Sequence, residues 1–163
     1  MNSSYYDIAQ ICMNGHVVTS RLNSYPVHSQ KFCDKCGAVT IQTCQNCNSV
    51  IRGDYVVPGY IGIGDSYTVP SFCHNCGKPY PWVATRLKAA RELSDELDGL
   101  NPSEREQLKK SLDDIVTDTP QTAVAALKFK RLVAKAGIAA AGVLKDILVD
   151  IVSETAKKLI WPT

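Results

Sequence analysis

Four short words in the first half of the chain constrain its fold more than anything else in it. They are Cys12 with His16, Cys33 with Cys36, Cys44 with Cys47, and Cys73 with Cys76. A Cys-x-x-Cys turn aims two thiolates at one point in space, and a structural Zn²⁺ closes its tetrahedron with four such donors. Eight donors make two closed sites, which use all seven cysteines and take His16 as the eighth ligand. The implied cofactor is therefore two zinc ions per chain, held by Cys12, His16, Cys33, Cys36, Cys44, Cys47, Cys73 and Cys76.

Each of the three Cys-x-x-Cys pairs is followed by the residue that a metal-binding turn needs. Gly37, Asn48 and Gly77 sit directly after the second cysteine of their turns, where the chain doubles back and φ > 0 costs least for Gly and little for Asn. Buried apolar thiols do not generate three Cys-x-x-Cys pairs. A redox Cys-x-x-Cys heads a helix after a strand, whereas these lie between short strand-like segments. His28 is a lone loop histidine and the alternative to His16 as a ligand, and His74 inside its turn reads as solvent-facing. Sequential pairing, first with second and third with fourth, is the expectation. A cross-braced arrangement is the alternative, although the seven residues between Cys36 and Cys44 are long for it.

Between the pairs, VVTS and AVTIQT are β-branched, and DYVVPGYIGIGDSYTVP mixes aromatic and β-branched residues with Gly and Pro, a hairpin pattern. The GYIGIG run is not a phosphate loop, because neither a Lys-Ser/Thr nor a helical pattern follows it. Residues 1–80 carry five Lys or Arg and four Asp or Glu, a net of +1. A Cys₃His site with one Zn²⁺ adds about −1 and a Cys₄ site about −2, so the metallated half is mildly acidic and lacks the basic footprint of nucleic-acid binding.

The combination YYDIAQIC-x-NGH, KFCDKCGA and FCHNCGKPYPW, followed by a helical tail, resembles a family of small bacterial proteins with a zinc-ribbon-containing domain of unknown function. The resemblance implies zinc at the eight named ligands and brings no activity with it.

Cysteine stops at Cys76, and residues 82–163 are rich in Ala, Leu, Lys, Asp and Glu. The expected architecture is a small α+β protein: tandem zinc ribbons of short β-hairpins over residues 1–81, then an all-α domain over residues 82–163. Leu87, Leu93, Leu97 and Leu100 set a first helical period with Gly99 as its stop. Ser103 with Glu106 reads as a capping box for a second helix, and Thr119-Pro120 as the start of a third that runs to about Lys135. The segment from Gly137 to Ile160 reads as an amphipathic helix, with Leu144, Ile147, Leu148, Ile151 and Leu159 on one side and Asp146, Asp150, Ser153, Glu154 and Lys157 on the other. Gly137 either breaks it from the third helix or sits within one long helix.

Charge is segregated along these helices. Residues 92–118 hold nine acids and three bases, a net of −6, whereas residues 119–145 hold Lys128, Lys130, Arg131, Lys135 and Lys145 and no acid. The simplest use is mutual, an acidic hairpin beside a basic helix. No apolar run approaches the ~20 residues of a spanning helix, no basic segment precedes an apolar core at the start, and Cys-x-x-Cys spacing reads as metal binding in a reducing compartment. The expected location is the cytoplasm.

These readings lead to a non-enzymatic, zinc-binding interaction or adaptor module. Both zinc sites are closed, and no nucleophile and base can be placed together from spacing. The small-sided strip from Ala134 to Gly142 and the helix after it, residues 136–160, are the expected surface for a protein partner or a homo-oligomer. Two alternatives stand beside this: a nucleic-acid-binding regulator using the basic helix 124–135, and a membrane-acting effector using the C-terminal amphipathic helix, which its acidic residues disfavour.

Overall fold

The computed structural model describes residues 3–62 and 66–163. They form two compact units, Met1–Val83 and Ala84–Thr163.

The first unit is built from strands of two to five residues. Strand β1 (Tyr5–Ile8) pairs antiparallel with β5 (Arg52–Val56), while β2 (Gln10–Cys12) lies between β3 (Val17–Thr19) and β4 (Thr40–Ile41). Short strands suit the sequence, because Gly, Pro and the metal turns interrupt every β-branched run before it can lengthen. Within DYVVPGYIGIGDSYTVP, where a hairpin is expected, the strand among the described residues is β5, which joins β1 in a longer-range pairing, and the Tyr67 hydroxyl donates to the Arg52 carbonyl at 2.5 Å. The GYIGIG run ends outside the described residues.

Two side-chain devices hold the β1–β5 layer against the chain that follows β3. Gly53 has no Cβ because one placed there would lie 2.0 Å from the Ser20 carbonyl oxygen. The buried Asp7 carboxylate accepts from the backbone N–H groups of Ile8, Asn23 and Ser24 and from the Ser24 hydroxyl. Burial opposes its ionisation, but these donors outweigh it and hold Asp7 below its ordinary value. Ala9, Ile11, Leu22, Ile51, Tyr80 and Trp82 are buried here, a small core for some eighty residues.

The second unit is helical: it takes α1 (Pro81–Asp95) from Ala84 onward, then α2 (Pro102–Val116), α3 (Thr122–Ala136), α4 (Ile138–Leu148) and α5 (Glu154–Ile160). Its interior is formed by Leu108, Leu112 and Ile115 of α2, Ala126, Phe129 and Leu132 of α3, Leu144 and Leu148 of α4, and Ala156 and Ile160 of α5. Phe129 meets Trp161 edge-on, with ring centroids 6.4 Å apart. Among the described residues no helix is long and apolar enough to cross a membrane.

Several expected boundaries move. The capping box is Asn101 with Glu104, not Ser103 with Glu106: the Asn101 side chain accepts from Glu104 N–H, and the Glu104 carboxylate accepts from Asn101 N–H, both at 2.9 Å. Pro102 explains the shift, since a residue without an N–H and with fixed φ belongs at the first helical position and puts Asn101 before it. Glu106 instead pairs with Lys109 at 2.7 Å. Helix α1 ends at Asp95 rather than at Gly99. Gly99 serves packing, as an added Cβ would lie 3.1 Å from the Lys135 carbonyl oxygen.

Helix α3 begins at Thr122, because Thr119 and Pro120 form a preceding turn in which the Thr119 hydroxyl accepts from Gln121 N–H at 3.2 Å. Gly137, with φ +109°, separates α3 from α4. The expected C-terminal helix is two helices. Ser153, expected on its polar face, caps α5 by accepting from Ala156 N–H at 3.3 Å and donates its own N–H to Ile115 O at 2.9 Å. Ile151 in the intervening turn is only 1% exposed, so it belongs to the interior and not to a surface.

The acidic and basic stretches lie side by side, α2 packed on α3, where Glu104 pairs with Lys135 at 2.5 Å and the Lys135 and Arg131 charges help to hold its carboxyl below the ordinary value; Asp95 and Asp113 pair instead with Lys109 and Arg91 of α2 and α1. Exposed pairs of this kind contribute little to stability, because solvent screens them.

Candidate metal centres

Three of the four ligand turns are copies of one backbone device. In each Cys-x-x-Cys turn, the first cysteine donates its N–H to a carbonyl five residues on: Cys33 to Ala38, Cys44 to Ser49, Cys73 to Lys78, at 2.8–2.9 Å. The first cysteine's carbonyl accepts from the residue after the second, Gly37, Asn48 or Gly77, and those residues hold φ of +74°, +62° and +73°. The first sulfur of each turn accepts a backbone N–H at 3.4 Å from Lys35, Asn46 or Asn75. A single bridge closes each turn: Phe32 with Val39, Thr43 with Val50, Phe72 with Pro79. A turn of this form points both sulfurs to the same side before any metal arrives.

The fourth turn is one residue longer. Cys12 donates its N–H to His16 O, and Gly15, with φ +90°, donates to Cys12 O, both at 2.9 Å. His16 N–H donates to the Cys12 sulfur at 3.3 Å. An added Cβ on Gly15 would lie 3.0 Å from the Trp82 side chain, whose indole N–H is fixed on the Pro70 carbonyl at 3.0 Å. The close packing of that turn on Trp82 therefore requires glycine at residue 15.

The turns meet in two groups, Cys12–His16–Cys33–Cys36 and Cys44–Cys47–Cys73–Cys76, with the donor atoms of each group within 4.8 Å of one another. This is the sequential grouping. His28, exposed beside Tyr25, and the exposed His74 join neither group. Sulfur–sulfur separations are 3.7 Å for Cys12–Cys36, 3.7 Å for Cys44–Cys76 and 3.6 Å for Cys47–Cys73. The His16 Nδ1 lies 3.5 Å from Cys12 Sγ and 3.6 Å from Cys33 Sγ. A tetrahedral ion with metal–sulfur bonds of ~2.3 Å and a metal–nitrogen bond of ~2.0 Å gives edges of about 3.8 Å and about 3.5 Å. The observed edges match, so each group could hold one metal ion through four protein donors.

Two asparagines, which the spacing of the ligands did not single out, complete the sites. Asn14, inside the Cys12–His16 turn, donates its amide to Cys36 Sγ at 3.3 Å. Asn75, inside the Cys73–Cys76 turn, donates to Cys47 Sγ at 3.6 Å. Each reaches from its own turn to the second cysteine of the turn it faces. Hydrogen bonding stabilises the thiolate: the Asn14 amide leads in lowering Cys36 to about 6, and the Ser49 side chain leads in lowering Cys47 to about 5. Burial pushes Cys12 up. The only cue to this in the sequence is an Asn within a ligand turn of each group.

A family model described as "Uncharacterized protein conserved in bacteria (DUF2321)" matches residues 5–160. No curated protein and no solved structure matches the chain.

Proposed function

We propose that this chain, which belongs to that family of proteins conserved in bacteria, is a non-enzymatic binding or adaptor module whose first unit is held in shape by two structural zinc ions. The observation that carries the reading is the pair of four-donor groups with tetrahedral edges of 3.5–3.7 Å. Sulfur and imidazole donors without a carboxylate suit zinc and not magnesium or calcium. Four protein ligands leave no open position for a substrate or an activated water, which argues for structure over catalysis. Seven cysteines without a disulfide fit a reducing compartment such as the cytoplasm.

On this reading the metals replace a core that the first unit is too small to build, and the helical unit is the docking half. The nucleic-acid reading is less well supported. Of its four basic residues on α3, Lys135 is paired with Glu104 and Lys130 donates to the Leu159 carbonyl. Elemental analysis of the purified native protein tests the metal reading: two zinc ions per chain are expected. One ion or none, or iron in the all-cysteine site, refutes it.

A further inference from the structure

Every Phe, Tyr or Trp side chain left exposed among the described residues belongs to the first unit. Tyr6, Tyr55 and Tyr60 share one strip of it. Tyr6 of β1 stands opposite Tyr55 of β5, with ring centroids 5.0 Å apart and ring planes at 56° to each other. The pairing then slips, so that the two steps from Tyr6 to Ile8 on β1 face the three from Tyr55 to Arg52 on β5. The extra residue breaks the alternation of faces, and the Arg52 guanidinium lies over the Tyr6 ring, 4.5 Å from its centroid. Tyr55 also lines a groove of about 310 Å³ with Arg21, Asp54, Val57 and Tyr60. A cross-strand ring pair stabilises a two-stranded sheet, yet Tyr6, Tyr55 and Tyr60 remain 51%, 57% and 72% exposed. The Tyr6 and Tyr55 hydroxyls and the Arg52 guanidinium make no hydrogen bond among the described residues.

We propose that this strip docks a proline-rich segment of a partner protein, held as a polyproline II helix. The proposal goes beyond the reading of the helical unit as the docking half, because it gives the first unit a surface of its own. The polar groups left open beside the Tyr6 and Tyr55 ring faces are donors, two phenol hydroxyls and a guanidinium. Their complement is a segment that offers apolar rings and unpaired carbonyls together. Proline supplies both: it has no N–H, and polyproline II leaves every carbonyl free of internal hydrogen bonds. Its conformation is set before binding, so little ordering entropy opposes docking on aromatic rings. Single-stranded nucleic acid also stacks on tyrosine, but its phosphates need a track of cations. Of the two arginines on the strip, Arg52 alone lacks an acid partner, because Arg21 is held by Asp54 at 2.8 Å.

The test is fluorescence polarisation of labelled decaproline, itself a polyproline II helix in water, titrated with the full chain as purified. A Gly-Ser decapeptide with the same label is the control. Decaproline should bind and the control should not, with a loss on the order of ten-fold in Tyr6→Ser and in Tyr55→Ser. Tyr6→Phe, which keeps the ring and removes the donor, should lose less. Unchanged dispersion of amide resonances shows that a variant keeps its fold. In the wild type itself, the ring resonances of Tyr6 and Tyr55 should shift on adding decaproline while those of Tyr25, exposed beside His28, stay in place. No binding of decaproline, equal binding of both peptides, folded variants that bind like the wild type, or a shift at Tyr25 in place of Tyr6 and Tyr55 overturns the proposal. So does single-stranded deca-thymidylate that displaces decaproline and shifts the same rings, since the strip would then be a base-stacking surface. Metal content is measured separately, so failure of peptide binding leaves the metal reading intact and the reverse.

Discussion

Replacing Gly53 by alanine should unseat the first unit. The backbone φ at residue 53 is not in the left-handed region, so the penalty is steric. A Cβ there would sit 2.0 Å from the Ser20 carbonyl oxygen and 2.9 Å from the carbonyl carbons of Ile8 and Ser20. These are backbone atoms and have no rotamer through which to escape. To reach even 3.0 Å the β1–β5 layer must move about 1 Å from the Ser20 backbone. The same Ser20 oxygen accepts the Asp54 N–H at 2.9 Å, so that bond is lost with the movement. Overpacking contributes about 2 kcal/mol and the hydrogen bond about 1 kcal/mol, or ~3 kcal/mol in all. Since folding of so small a unit is coupled to metal, the loss should appear as apparent zinc affinity weakened on the order of 100-fold in competition with a chelator. A Gly53→Ala protein that binds two ions with wild-type affinity would refute the argument.

Cys33→Ser should leave one ion per chain, retained by the all-cysteine group; loss of both ions would mean that the groups depend on each other for binding. Asn14→Ala should weaken metal at the first site roughly 10-fold and slow alkylation of apo Cys36 at neutral pH, because the thiolate loses its leading hydrogen bond. Asn101→Ala should lower the stability of the helical unit by about 1 kcal/mol in urea denaturation, whereas Ser103→Ala should change it by no more than a few tenths. Asp7 is held below its ordinary value of 3.8, so the stability it contributes is fully present above that pH and disappears as the pH falls through the lower folded value. Asp7→Asn, which removes acceptor capacity from a buried site, should cost roughly 1–3 kcal/mol at pH 7 and flatten that acid dependence in thermal melts.

The metal groups were legible in the sequence because their geometry is local. A turn of four residues with Gly or Asn behind it fixes where two sulfurs point, whatever the rest of the chain does, and all three Cys-x-x-Cys turns share that form. Which turns face each other was less constrained, and the structure settles on neighbours in sequence. Asn14 and Asn75 were not legible as site residues, since an amide that reaches across to another turn leaves no spacing rule behind. The β1–β5 pairing was hidden for a related reason. It joins residues more than forty apart, and DYVV has the same β-branched and aromatic signature whether it pairs with a following strand or with Tyr5–Ile8.

In the helical half, element type was readable and boundaries were not, because several residues compete for each end. Asn101-Pro102-Ser103 offers two caps, and proline decides between them through its missing N–H. Ile151 shows the larger gap between pattern and packing. The apolar period through Leu144, Leu148 and Ile151 is one that a continuous helix would also show, yet Ser153 ends that continuity by capping α5 and anchoring on Ile115. Once the chain turns there, Ile151 closes the interior, and the exposed large apolar residues of α4 are Ile138 and Val143, on a helix that also exposes Lys145 and Asp146. The break after Leu148 thus takes Asp150 and Glu154 off the helix that carries Ile138 and Val143, and leaves Asp146 on it.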